Sequence, residues 1–284
     1  MLPVLDRARD LLAGYEVVFC DVWGVLHDGV RAYPGANDAL PRFRAGGGLV
    51  LLLSNAPLPA DSVARVLDEK GVRREAYDAI VSSGDIARAR LAETGTKRIH
   101  HIGPKRDLPL FVGTELARVP LQEAETLVVT GLLRDTVETA EDYRPLLAQA
   151  RDRDLELLCA NPDLHVEVGD RILPCAGVLG ALYEALGGRV YWAGKPFAVA
   201  YDAAFAVVRS LRGAVDKKRV LAIGDAVRTD LAGAAGAGLD ALFITGGIHR
   251  EAVTVGGFVD RDRLAALLGP ETRTTLAAIP ALVW

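Results

Sequence analysis

Short apolar runs alternate along this chain with longer amphipathic stretches, a pattern that predicts a parallel sheet covered by helices on both faces. Val17 to Cys20 is an apolar run too short for a helix. Leu49 to Leu53 is a second, preceded by three glycines that stop a helix expected over Ala36 to Ala45. A helix over Ser62 to Lys70 ends at Gly71 as a glycine C-cap would end it, and Ala79 to Val81 is a third strand candidate. The pattern returns near the other end. There Val190 to Trp192, Val220 to Ile223 and Ala241 to Ile244 read as buried strands, with helices over Phe197 to Leu211 and Thr229 to Ala237 between them.

Between these halves lies a second alternating set: strands Ile99 to Ile102 and Leu127 to Thr130, a helix around Ala140 to Ala150, strand Leu155 to Cys159, and a helix around Leu179 to Leu186. The expected fold class is therefore α/β. A doubly wound parallel sheet, built from residues 1–84 and 189–284, carries an inserted α/β domain over 85–188. The nearest thing to a linker is Ser82-Ser83-Gly84-Asp85.

Composition narrows the function classes. The apolar runs fall far below the roughly 20 residues a membrane span needs, so no membrane partner is expected. The segment Met1 to Tyr15 carries Asp6 and Asp10 and lacks the apolar stretch of a signal peptide, which points to the cytoplasm. Thirty-three basic and 37 acidic residues are mixed along the chain, net −4, without the basic stripe that binds nucleic acid. A small molecule is the expected partner, and self-association is left open. Cys20, Cys159 and Cys175 are too few and too irregularly spaced for a disulfide framework or a zinc site, and read as core or near-site thiols.

In a doubly wound sheet, ligands bind beyond the carboxyl ends of the strands. The segments there read Asp21-Val-Trp-Gly-Val-Leu-His-Asp-Gly, Ser54-Asn55, Gly194-Lys195-Pro196 and Gly224-Asp225-Ala-Val-Arg-Thr229-Asp230. Each alone is an ordinary cap or turn. Together they supply a phosphoryl-transfer site, which needs a divalent cation, fixed donors and an in-line nucleophile. Asp21 can form an acyl phosphate. Asp225 can share Mg²⁺ with it, because hard cations take carboxylate and carbonyl oxygens. Asp230 can hold a metal-bound water or support the other ligands. Ser54 can grip one phosphoryl oxygen, and Lys195 can neutralise another as a point charge.

These four motifs, in this order, resemble the haloacid dehalogenase superfamily of phosphohydrolases over nearly the whole chain. They are most similar to its class IIA branch of NagD-like and p-nitrophenyl phosphatase-like enzymes. Asn161-Pro162-Asp163 and the segment Ile244 to Arg250 resemble that branch as well. The resemblance implies that Asp21 is the nucleophile, that Ser54 and Lys195 hold the phosphoryl group with Asn55 beside them, and that Mg²⁺ is the cofactor. Asp21, Asp225, Asp230 and the backbone carbonyl of Trp23 are its implied metal site. The insert would be a class II cap, contacting substrate near Asn161 and Asp163. The implied substrate is a small phosphorylated metabolite such as a sugar phosphate or a nucleotide.

The departure lies at Trp23, where family phosphatases carry a second Asp as general acid and base. Indole has no proton to exchange near neutral pH. General acid-base help is worth about 10² to 10⁴ in rate, so its loss costs roughly 3 to 5 kcal/mol of barrier. Three readings stay open: His27 or Asp28 takes over proton transfer; the substrate has a good leaving group; or the chain is a phosphate-ligand-binding or non-phosphatase relative. Of the last kind, carbon–halogen cleavage needs no metal, and Asp225 and Asp230 argue against it.

Overall fold

The structure, a computed structural model, describes residues 2–169 and 171–284. In chain order the strands are β1 (Val17–Cys20), β2 (Leu49–Ser54), β3 (Ala79–Ser82), β4 (Arg98–Ile102), β5 (Ala117–Arg118), β6 (Thr126–Val129), β7 (Glu156–Cys159), β8 (His165–Val168), β9 (Arg171–Pro174), β10 (Arg189–Trp192), β11 (Val220–Gly224), β12 (Asp240–Ile244), β13 (Thr254–Val255), β14 (Phe258–Val259) and β15 (Thr275–Ile279). The α-helices are α1 (Arg9–Leu12), α2 (Pro34–Ala45), α3 (Ala60–Lys70), α4 (Ser83–Glu93), α5 (Arg144–Asp152), α6 (Gly177–Ala185), α7 (Ala198–Arg212), α8 (Ala232–Ala237), α9 (Arg250–Val253) and α10 (Arg261–Leu267).

Among the described residues the larger sheet runs β15-β12-β11-β1-β2-β3, all parallel. Its central strands are apolar on both faces because both are covered. Val17, Phe19, Leu51 and Leu53 pack with Tyr201, Ala204 and Val208 of α7 on one side. Val18, Cys20, Val50 and Leu52 pack with Ala39, Leu40 and Phe43 of α2 and Leu67 of α3 on the other. The strand order reverses at β1, with β2 on one flank and β11 on the other. Asp21 and Asp225, which follow β1 and β11, are thus neighbours at the switch point. The register pairs Cys20 with Ile223 and with Leu52, and the Asp21 amide donates to the Ile223 carbonyl at 2.8 Å.

The second sheet, β10-β7-β6-β4-β5, is also parallel and has its own core around Leu127, Leu147, Leu157 and Leu179. It corrects one expectation. Val190 to Trp192 does not belong to the large sheet: β10 pairs with β7, Tyr191 opposite Leu158. The chain therefore rejoins the large unit after Trp192 rather than at residue 189. Strand character was legible there, but an apolar run does not specify its partner. Ser82 to Asp85 is corrected too. Ser82 caps α4, its hydroxyl accepting from the Asp85 amide at 3.1 Å, so the segment is a strand-to-helix junction rather than a linker.

The helix expected over Thr229 to Ala237 begins as a π turn, Val227–Leu231, before α8. Edge strand β15 and the hairpin β8–β9 were not expected from the sequence: β15 is buried only over its last three residues, and the hairpin strands, half exposed, contain no buried run. Cys20, Cys159 and Cys175 are buried free thiols, as expected. No helix among the described residues is long and apolar enough to cross a membrane.

Candidate active site

Asp21, Asp225 and Asp230 each bring a carboxylate oxygen to one place, all within 4.8 Å of one another. Asp21 and Asp225 arrive on adjacent strand ends. Asp230 arrives through the π turn, whose wider coil swings its side chain back so that Oδ2 accepts from the Ala226 amide at 3.0 Å. Lys195 lies between two of them, its Nζ donating to Asp21 Oδ1 and to Asp230 Oδ1, each at 2.6 Å. Asp225 is gripped from the other side, where the Ile248 amide donates to its Oδ2 at 2.8 Å. A Cβ on Gly24 or on Gly247 would collide with the Asp225 carboxylate. Both glycines let backbone press against it, and Gly24, at φ +80°, brings the Trp23–Gly24 peptide beside Asp225.

Burial first, then the charge of Asp230, pushes the Asp21 carboxyl up, against the pull of Lys195. Asp225 is driven well up by burial and by Asp21 and Asp230. Burial disfavours the Lys195 charge, yet Asp21, Asp230 and Asp163 outweigh it and hold the ammonium well above its ordinary range. One ammonium among this many buried carboxylates leaves negative charge uncompensated. An all-oxygen donor set with excess negative charge fits a hard divalent cation such as Mg²⁺ or Ca²⁺.

Ser54 ends β2, buried, with Oγ accepting from the Ala56 amide at 3.2 Å. Asn55 has no group left for a substrate, which corrects its expected role. Its Nδ2 donates to Asp163 Oδ1 (2.9 Å) and the Lys195 carbonyl (3.1 Å), and its Oδ1 accepts from the Lys195 amide (2.8 Å) and the Ser83 hydroxyl (3.3 Å). Both its donors and both its acceptor sites are used. Asn55 is instead the splint that fixes the Lys195 backbone. Gly194 is required at this crossing, since a Cβ there would strike Ser83, Asn55 and Pro162.

Asn161 shapes the neighbouring loop, its Oδ1 accepting from the Asp163 amide at 3.1 Å and closing an Asx turn. Asp163, on that turn, reaches Asn55 from the second unit, and burial raises its carboxyl against the pull of Lys195 and Asn55.

His27 does not take over proton transfer. It is buried, its Nδ1 accepts from the Gly29 amide at 2.9 Å, and burial with the nearby Lys70 charge lowers it to about 4. Asp28 holds the next turn, its Oδ1 accepting from the Val30 and Arg31 amides at 2.8 Å. Trp23 stands edge-on to His27, and its Nε1 donates to the Glu167 carbonyl in β8 at 2.7 Å. Glu167 also faces Arg250, 3.6 Å away. These two contacts and Asn55–Asp163 bring the second unit down to the strand ends. The sequence reading missed Glu167 and the contact role of Ser83, and it singled out the segment Ile244 to Arg250 without assigning roles to Gly247 and Ile248. The doubled glycine before Ile248 was the visible signal for that last pair, and none marked Glu167 or Ser83.

Two family models match the chain: a haloacid dehalogenase-like hydrolase model over residues 18–115 and a HAD-hydrolase-like model over residues 192–263. No curated protein matches it. Among solved structures, a haloacid dehalogenase-like family hydrolase from Brucella suis 1330 is 44% identical over 99% of this chain and 100% of its own, with a TM-score of 0.87. A 4-nitrophenylphosphatase from Thermotoga maritima shares the fold at 23% identity, over 88% of this chain and 94% of its own, with a TM-score of 0.65. A glycerol phosphate phosphatase from Mycobacterium tuberculosis, in complex with calcium, does so at 23% identity over 86% of this chain and 71% of its own, with a TM-score of 0.63. With its carboxylates and lysine gathered at the switch point of a doubly wound sheet, the chain belongs to the haloacid dehalogenase-like hydrolases.

Proposed function

We propose that this hydrolase is a Mg²⁺-dependent phosphatase acting on a small phosphate monoester through an aspartyl phosphate on Asp21. The observation that carries the reading is the buried constellation in which Asp21, Asp225 and Asp230 lie within 4.8 Å of one another while Lys195 bridges Asp21 and Asp230. Bound Mg²⁺, held by Asp21, Asp225 and the Trp23 carbonyl, would neutralise phosphoryl charge as a Lewis acid. Asp230, whose Oδ1 accepts from Lys195 and Oδ2 from the Ala226 amide, braces Lys195 and has acceptor capacity left to hold a metal-bound water.

The chain's own groups divide the remaining work. Asp21, on the strand end where its backbone is fixed to Ile223, presents its carboxylate to phosphorus. Lys195, whose backbone Asn55 clamps, places a positive charge where a phosphoryl oxygen would lie, in a buried setting that strengthens the attraction. Ser54 Oγ, at the next strand end, is the second phosphoryl contact. The hairpin β8–β9 closes over the site through Trp23 and excludes water. The carboxylate cluster and the calcium complex of the Mycobacterium tuberculosis relative support a divalent metal. The family and the 4-nitrophenylphosphatase fold support the phosphatase chemistry.

The test is phosphate release from a panel of phosphate monoesters with and without Mg²⁺. Release that needs Mg²⁺ and falls by about 10³-fold or more in Asp21→Asn is expected. Equal activity in that variant sinks the reading.

A further inference from the structure

We propose that the enzyme acts on activated phosphates, meaning aryl, enol or acyl phosphates whose leaving group departs as a stable anion, because among the described residues no side chain around Asp21 is free to protonate a leaving oxygen. The inference rests on the phosphatase reading above and narrows its substrate class.

Each described group that could carry a proton there is engaged or unsuited, beginning with His249, whose Nε2 accepts from the Val227 amide at 3.3 Å and which burial keeps below its ordinary range despite the nearby Asp230 charge. Trp23, two residues past Asp21, has a single N–H, and that N–H is held by the Glu167 carbonyl at 2.7 Å. The indole also fills the space beside Gly29, where a Cβ would strike its ring. His27 is buried and accepts the Gly29 amide through Nδ1. Asp28 accepts two amides of its own turn. Lys195 and Asp230 are joined to each other, and Lys195 to Asp21. Asp163 accepts from Asn55 at 2.9 Å and braces the lysine loop. The Glu167 carboxylate faces Arg250. Tyr33 stands at the N-cap position of α2 without a side-chain cap bond, and burial raises its phenol still further above the range in which it could exchange a proton efficiently near neutral pH.

The chemistry then follows. An Asp21 carboxylate oxygen bonds to phosphorus as the bond from phosphorus to the leaving oxygen breaks. That bond's electron pair leaves with the oxygen, which departs as an anion. Water next attacks phosphorus of the acyl phosphate, the bond to Asp21 breaks with its pair returning to the carboxylate, and water's protons go to phosphate and solvent. The second step also lacks a protein base among the described residues. The phosphoryl enzyme should therefore accumulate, giving a burst of leaving group equal to the enzyme present and then a slow steady state.

The experiment is a series of substituted phenyl phosphates, from dinitrophenyl to unsubstituted phenyl, with phenylethyl phosphate as an alkyl comparison, assayed with Mg²⁺. Because kcat/KM reports the first transfer, it should fall steeply with leaving-group basicity, by about 10² or more across the series, with phosphoryl enzyme trapped by acid quench. Trp23→Asp should flatten the fall. Trp23→Phe, which removes the bond to Glu167 without adding an acid, should keep it steep, as should Asp163→Asn and Tyr33→Phe. A flat dependence in the wild-type enzyme overturns the proposal, and so does a dependence that becomes steeper in Asp163→Asn or Tyr33→Phe, which would identify that residue as the proton donor. Flat but Asp21-dependent release leaves the phosphatase reading standing, whereas no Asp21-dependent release from any ester removes both.

Discussion

At the strand ends of the large sheet, three carboxylates crowd one ammonium, and every one of these groups is tied to backbone or to a neighbour of opposite charge. In the second unit, the buried carboxyl of Asp107 has only the Thr130 hydroxyl and the nearby Arg106 charge to favour its ionised form, and burial raises it to about 6. The hairpin β8–β9 of the same unit meets the large one through the Trp23–Glu167 bond and the Arg250–Glu167 pair. The difference teaches where rigidity was placed. The carboxylates and lysine stand on fixed strand ends, while the hairpin that meets them is held by a few bonds.

The largest effect should come from removing the one positive charge in the cluster. Lys195→Ala leaves Asp21 and Asp230 buried and unpaired, and should lower stability by about 3 to 5 kcal/mol in denaturant unfolding without Mg²⁺. A loss under about 1 kcal/mol would mean that the carboxylates are not held by charge, and the contrast with the second unit would collapse.

Asp107 tests the other side through pH. An aspartate whose folded-state value lies above its unfolded one binds its proton more tightly when folded. Its stabilising contribution is present in full below about pH 4 and is lost as pH rises through 6. The contribution lost is about 2 to 3 kcal/mol. Asp107→Asn should therefore be more stable than wild type at pH 8 and nearly equal to it at pH 4, as thermal unfolding at the two values would show. A gain of the same size at both would refute the titration.

The smallest effect concerns the hairpin. Trp23→Phe should cost about 0.5 to 1.5 kcal/mol, one hydrogen bond. It should speed amide hydrogen exchange in β8 and β9 while β1 and β11 exchange as before. Uniform loss of protection would show that the hairpin and the large sheet open as one unit.

Much of this architecture was legible because parallel strands covered on both faces read as unbroken apolar runs. β1, β2, β11 and β12 were readable for that reason, and the residues just past β1, β2 and β11 were readable as a site because a doubly wound sheet gathers its ligands there. Edge strand β15 and hairpin β8–β9 carry no such signal. The hairpin residues are half exposed, and in β15 only Ala277, Ala278 and Ile279 are buried, too short a run, two of it alanine, to stand out.

The sequence by itself determined the fold class, the carboxylate and lysine positions of the site, and the absence of an acid at Trp23. All of these are local: an apolar run, a glycine or an aspartate has the same consequence wherever its strand ends up. Only the tertiary structure decided which sheet receives β10, that Asn55 spends all its hydrogen bonds on Lys195, Asp163 and Ser83, that His27 is locked to Gly29, and that Trp23 reaches across to Glu167. Those outcomes depend on which groups are brought within hydrogen-bonding distance from 28 to 144 residues away, or on whether a ring nitrogen is already occupied, and no local pattern encodes either.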